Sequence, residues 1–268
     1  EETLFVVNYG RLEITMLDED DLSYKDHFGD SGVSLFQGAK EAISYVLNDS
    51  ATTQQANFGL GFWHAASGQF HGFNNDANGN IDYTLDPRKP ADRLKGCSYD
   101  ACLNVGINKK GAAQILELFE RDDIHLGYKT NSKGFRNIIN KYFNNQNPFF
   151  NPHNDDLPCQ TTAIVIIGDG EIADGWQATS GVIANLHAKK NPILTYSVGY
   201  GKDVYKNNKA QSIFKSFAIS GGTEDATKKK KGFYIAETPA DLKKVTDEIV
   251  QNIISRQVVF SAPSIASE

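Results

Sequence analysis

Apolar positions along the chain recur at two spacings, and the alternation of the two predicts most of its elements. Thr3–Val7 and Thr161–Ile167 are short runs dominated by branched apolar residues, too short for helices and read as strands buried on both faces. Leu35, Ala39, Ala42, Ile43 and Val46 fall at helical spacing, which predicts an amphipathic helix over Ser34–Leu47. The same spacing predicts helices over Gly111–Arg121 (Ile115, Leu116, Phe119) and Ser132–Phe143 (Phe135, Ile138, Ile139, Tyr142). Asn57–Trp63 and Gln69–Phe73 read as two short strands of a hairpin.

After Thr161–Ile167 the two periods alternate cleanly. Trp176–Lys189 and Ala210–Ile219 are predicted helices, and Ile193–Val198 and Gly232–Ala236 are predicted strands. The last helix opens at Thr238-Pro-Ala-Asp241. There Thr238 can cap, Pro239 suits the first helical position and Asp241 completes a capping box. Its apolar face is Leu242, Val245, Ile249 and Ile253. Single strands alternating with helices imply an α/β fold with a doubly wound, mostly parallel sheet, and the hairpin implies one antiparallel edge strand.

Three polar stretches interrupt the pattern: Leu17–Gly32, Asn74–Gly106 and Asn144–Pro158. In the second, Asn, Asp, Gly and Pro dominate and no period survives, so residues 74–106 are expected to be a loop insertion. Long polar loops on a rigid scaffold are where binding residues concentrate. The domain is expected to span residues 1–256. Residues 257–268 (VVFSAPSIAS within them) read as the start of a linker to a further domain.

Composition narrows the class. Hydrophobic residues at 40% and charged residues at 22% are ordinary for a globular chain. A net charge of -6 argues against nucleic acid as partner, because phosphate binding needs a basic face. The Lys228–Lys231 run is read as a solvated loop. No apolar run approaches the ~20 residues needed to cross a bilayer, so membrane insertion is not expected. No signal peptide opens the sequence, which is read as a fragment or a mature segment.

Candidate chemistry lies in the loops. Cys97 and Cys102 are near enough to close a small disulfide loop, leaving Cys159 unpaired or pairing in place of one of them. The alternative is three reduced thiols. In NNDANGNIDYTLD, oxygen side chains fall at loop positions one, three, five and nine: Asn74, Asp76, Asn78 and Asp82. Gly79 takes the sharp turn, Asn80 offers its carbonyl, and Ile81 is the apolar anchor of an EF-hand-like loop. Position one is an amide, and Asp86 comes one residue later than the usual last ligand. The reading is a weak Ca²⁺ loop, with an Asn/Gly-rich surface turn as the alternative.

Apparatus for catalysis is not visible. The six histidines form no HExxH, Gly199–Asp203 lacks the spacing of a phosphate loop, and no Gly-x-Ser-x-Gly elbow follows a strand. The chain is therefore expected not to be an enzyme.

The central IVIIGDG and the following ILTYSVGYG carry a family resemblance. Together with the order of elements, they make residues 3–256 similar to a von Willebrand factor A-type domain. The terminal VVFSAPSI resembles the junction that follows such a domain in the PilC/PilY-type adhesins of type IV pili, where a β-propeller comes next. The resemblance implies a metal-ion-dependent adhesion site, in which an Asp-x-Ser-x-Ser motif, a Thr and an Asp hold Mg²⁺. Mapped here, the Asp is Asp169 and the Thr is Thr130, while the first motif reads Asn8, Gly10 and Leu12. That site is degenerate, with too few charged ligands for tight Mg²⁺ binding. The resemblance also implies an extracellular adhesion module at a pilus tip, exported through the periplasm. Its partners would be a surface, a host ligand or other pilus subunits. The alternative is an intracellular A-type subunit of a multiprotein assembly.

Overall fold

The computed structural model describes residues 2–7, 35–62, 97–98, 101–120, 130–144, 152–157, 160–168, 172–224 and 232–258. In chain order the strands are β1 (Glu2–Val7), β2 (Asn57–Phe62), β3 (Cys97–Ser98), β4 (Ala101–Asn108), β5 (Thr130–Asn131), β6 (Thr162–Gly168), β7 (Ile172–Asp174), β8 (Ile193–Tyr200) and β9 (Tyr234–Ala236). The helices are α1 (Leu35–Leu47), α2 (Ser50–Gln55), α3 (Gly111–Phe119), α4 (Ser132–Phe143), α5 (Trp176–His187), α6 (Lys202–Lys206), α7 (Asn208–Ser220) and α8 (Pro239–Val258).

Seven strands form one mixed sheet in the order β3-β4-β2-β1-β6-β8-β9, and β5 pairs with β7 apart from it. Strands β2, β1, β6, β8 and β9 run parallel in that order. From β1 the chain first builds outward to β2, then returns to place β6 on the other side of β1. The strand order therefore reverses between β1 and β6, whose carboxyl ends pair as Val7 opposite Ile167. In open α/β sheets this reversal opens a crevice at the carboxyl edge.

Alternation along the strands feeds two cores. Ala163, Val165 and Ile167 of β6 join Ile43 and Val46 of α1, Ile115 and Leu118 of α3, and Ile249 and Ile253 of α8 on one face. Ile164 and Ile166 join Phe135 and Ile139 of α4, Ile183 of α5, and Phe214 and Phe217 of α7 on the other. Helices on both faces explain why β6 is apolar at nearly every position.

Local signals close the elements. Asp49 caps α2, accepting hydrogen bonds from Ala51 N at 3.2 Å and Thr52 N at 3.3 Å. At α8 the capping box forms as the sequence predicts. Thr238 N donates to Asp241 Oδ2 at 3.1 Å, and Asp241 N donates to Thr238 Oγ1 at 3.1 Å. At the start of α3, Gly111 lies so close to the Phe58 carbonyl that any Cβ would collide with it. Ahead of β6, His153 Nδ1 meets Thr162 Oγ1 at 2.9 Å and its Nε2 meets Asp155 Oδ1 at 3.3 Å. Lys189 holds Asp155 in turn, at 3.1 Å. Asn191 Nδ2 donates to the carbonyls of Asn154, Leu157 and Gln160 at 3.0, 2.9 and 3.0 Å, which clips this segment onto the end of α5.

Two expectations need correction. The antiparallel partner of Asn57–Phe62 is β4, not a strand over Gln69–Phe73, and the latter residues lie outside the described ones. The stretch read as an insertion over 74–106 also contains β3 and most of β4, so its far boundary falls before Cys97. The period of β4 is broken by two register shifts against β2, between Phe58 and Leu60 and between Leu60 and Gly61. Each shift changes the side-chain direction, so Val105 joins one core while Leu103 and Ile107 join the other. Buried Asn104 further disguises the strand as a loop.

Candidate functional site

The crevice between β1 and β6 is the candidate site. Asn8 follows the end of β1 directly, and Asp169 follows the end of β6. Asn8, Gly10, Leu12 and Asp169 themselves lie outside the described residues, as do Asn74, Asp76, Asn78, Asn80, Asp82 and Asp86 of the calcium-like loop.

Thr130 is placed by β5. Its backbone pairs with Ile172 of β7, three residues beyond Asp169, and Asn131 pairs with Asp174. The small parallel sheet thus carries the Thr130 segment to the loop leaving the central strand. Sequence reasoning missed this pairing, because two- and three-residue strands leave no period to detect.

Just behind that pairing the starts of α4 and α5 meet. Gly175 sits in the left-handed region at φ 60° and caps α5. A Cβ there would come within 3.3 Å of Ser132 Oγ. Thr179 Oγ1 donates to the Ser132 carbonyl at 3.3 Å, and Arg136 Nη1 reaches the Gly175 carbonyl at 3.5 Å. Thr179 and Ser132 are fully buried, so this junction is part of the packed interior between α4 and α5.

The donor set of the crevice does not suit Mg²⁺. A hard divalent cation wants carboxylate and hydroxyl oxygens, and the positions after β1 supply one amide (Asn8), a glycine (Gly10) and a leucine (Leu12). Among the described residues no three His, Cys, Asp or Glu side chains come together as a metal cluster. Nor is any helix among them long and apolar enough to cross a membrane.

At one lateral edge of the sheet, Cys97 of β3 stands directly across from Cys102 of β4, with Ser98 across from Ala101.

Compared with models of protein families, the chain matches none, and no curated protein matches it. Its fold is similar to that of the pilus adhesin SpaC from Lactobacillus rhamnosus GG. In the open conformation of SpaC the TM-score is 0.52 at 12% identity, over 95% of this chain. A second structure of the same adhesin gives 0.51 at 10% identity. The chain is therefore an α/β domain with a fold like one found in a pilus adhesin. It spans about 30% of the SpaC chain.

Proposed function

We propose that this chain is a non-enzymatic adhesion module, displayed at the cell surface, on a von Willebrand factor A-like doubly wound fold. The observation that carries the reading is the pairing of Thr130 with Ile172 beside the β1/β6 reversal. It pairs the Thr130 segment with the chain that follows the central strand, which supports a binding surface assembled from loops at that edge. The likeness to SpaC supports the same direction. Within that reading, the closer kinship is to the N-terminal region of PilC/PilY-type type IV pilus tip adhesins, with a β-propeller following. The partner is a host or abiotic surface, or another pilus subunit, and not nucleic acid.

The proposed contact differs from a metal-bridged one. With Asn8, Gly10 and Leu12 in place of ligands, Asp169 serves backbone or partner hydrogen bonds in a degenerate adhesion site, and Mg²⁺ has no role. Ca²⁺, if bound, is held by Asn74, Asp76, Asn78, Asn80, Asp82 and Asp86. Cys97 and Cys102 form a disulfide, which their opposite register supports and which suits an exported protein.

Adhesion is tested by coating beads with the purified chain and measuring retention on epithelial monolayers and on abiotic surfaces. Retention should exceed that of uncoated beads and fall when Thr130 and Asp169 are both changed to Ala. Equal retention of coated and bare beads on every surface refutes the reading. A thiol titration after non-reducing purification should find one reactive cysteine. Three would favour the intracellular subunit instead. For calcium, chelation should lower the melting temperature, and Asp76→Ala should abolish that response.

A further inference from the structure

Away from the crevice, a second recess arises because β9 is shorter than the strand it joins. Strand β8 starts at Ile193, but β9 pairs only with Val198, Gly199 and Tyr200, so among the described residues no strand flanks residues 193–197 on that side. Residues 221–223 cover this stretch instead. Thr195 N donates to the Gly221 carbonyl at 3.0 Å, and Thr223 Oγ1 donates to the Thr195 carbonyl. Helix α8 starts after the carboxyl end of β9 and runs back along the sheet. Its last turns bound a cavity of about 550 Å³, lined among others by Thr223, Glu224, Tyr234, Glu248, Asn252 and Arg256.

The wall mixes charges of both signs with uncharged polar groups. On α8, Glu248, Asn252 and Arg256 recur every four residues, which sets them on one side of the helix about 6 Å apart and about 12 Å end to end. Each ends in a planar polar group: a carboxylate that accepts, an amide that does both, and a guanidinium that donates. Exposed Glu224 adds a second carboxylate, 3.6 Å from Lys215 Nζ. An anion entering the recess meets two carboxylates. A cation meets Arg256 and competes with Lys215 for Glu224, so neither sign of charge suits the wall.

These constraints leave an uncharged ligand rich in hydroxyls. Sugar hydroxyls both donate and accept, so neighbouring ones can satisfy a carboxylate, an amide and a guanidinium in turn. A carboxylate has about four acceptor sites, so the contacts it already makes leave others for a ligand. Half-buried Tyr234 supplies aromatic surface for the C–H face of a sugar ring, and its hydroxyl lies 3.5 Å from Asn252 Nδ2. The Tyr196 ring lies 6.5 Å from that of Tyr234, and its buried hydroxyl takes no part. A polar row of about 12 Å is longer than one sugar ring and suits two linked ones, in a recess of the size small ligands occupy. We infer that this recess binds a neutral disaccharide, with its hydroxyls on Glu248, Asn252 and Arg256 and one ring against Tyr234. The inference is independent of the adhesion reading, since it uses neither the crevice nor its loops.

The test is titration of the purified chain with lactose, maltose and cellobiose, followed by saturation-transfer NMR and calorimetry. D-glucuronate and spermidine serve as anionic and cationic comparison probes. At least one disaccharide should bind in the millimolar range or tighter, and more tightly than either charged probe. Arg256→Gln, on an exposed side chain, should weaken that binding about tenfold, and Glu248→Gln should weaken it severalfold. Three results overturn the inference: no disaccharide binding at tens of millimolar, glucuronate or spermidine binding as tightly as the best disaccharide, or unchanged affinity in Arg256→Gln. Changing both Thr130 and Asp169 to Ala should leave disaccharide affinity unchanged, so failure of this inference is distinguished from failure of the adhesion reading.

Discussion

Strands β6 and β8 are neighbours in register and buried along their whole length, yet they are built from different chemistry. From Ala163 to Ile167, β6 carries only apolar side chains, each packed into one of the two cores. Its polar residue, Thr162, is at the very start and is bonded to His153. Strand β8 instead carries Thr195, Tyr196, Ser197 and Tyr200, and each has a buried side-chain oxygen without a hydrogen-bond partner among the described residues. Equal burial therefore does not mean equal contribution. In β6 every side chain adds apolar burial, whereas in β8 part of that gain is offset by desolvated hydroxyls. The strand holding the fold and the strand carrying unmet chemistry lie side by side.

The comparison predicts unequal responses to substitution. Ile164→Ala in β6 should cost about 2–5 kcal/mol in urea unfolding, because a fully buried site between α4 and α7 leaves a cavity. A loss well under 1 kcal/mol would show that β6 does not carry the stability assigned to it. Gly111→Ala should cost at least about 2 kcal/mol, since the colliding atom is the Phe58 backbone carbonyl of β2, which cannot turn aside.

The two strands should also fail at opposite ends of the pH scale. Burial lowers the pKa of His153 from 6.5, overcoming the opposing pull of Asp155. Below the ordinary value the unfolded chain then binds the proton more readily than the fold does. This stabilisation is present above pH 6.5 and is lost as pH falls through the lower folded value. A melting temperature that declines between pH 7 and 5, with the decline reduced in His153→Gln, is the expected result. On β8, burial and the Glu41 carboxylate push Tyr200 up to about 12. A raised pKa keeps the phenol neutral in the fold, so its contribution is complete below pH 10 and is lost between pH 10 and about 12. Tyr200→Phe should remove that alkaline loss.

The smallest effects sharpen the comparison most. At neutral pH Tyr200→Phe and Ser197→Ala should each lie within about 0.5 kcal/mol of the parent or be stabilising by up to about 1 kcal/mol, since each removes an unpaired buried oxygen. If either destabilises by more than about 1 kcal/mol, the hydroxyl has a partner in solution, and the contrast with β6 collapses.

Much of this architecture was legible in the chain. The β-branched run of β6, the 3.6-residue stripes of α1, α4 and α8, and the capping box at Thr238 each encode their element within a few residues. What escaped was either too short or locally disguised. Strands β5 and β7 are set by each other, and two or three residues leave no period. Strand β4 carries its apolar residues to alternate cores through register shifts that only the pairing with β2 creates. The candidate site was legible as residue types at Asn8, Thr130 and Asp169, but not as a neighbourhood.

Local order and the alternation of strand and helix were thus determined by sequence alone, because period, branching and capping act over a few residues. The sequence also shows that Asn8, Gly10 and Leu12 after β1 carry neither a carboxylate nor a hydroxyl, since that is side-chain chemistry read without coordinates. Tertiary structure decided which strands became neighbours, and so placed the reversal between β1 and β6. It brought the Thr130 segment to the loop after the central strand, and Cys97 opposite Cys102. It also brought the last turns of α8 back across the sheet, so that Arg256 lines the same recess as Tyr196, sixty residues earlier in the chain. Such contacts depend on chain reversals and packing between distant segments, which no local pattern encodes.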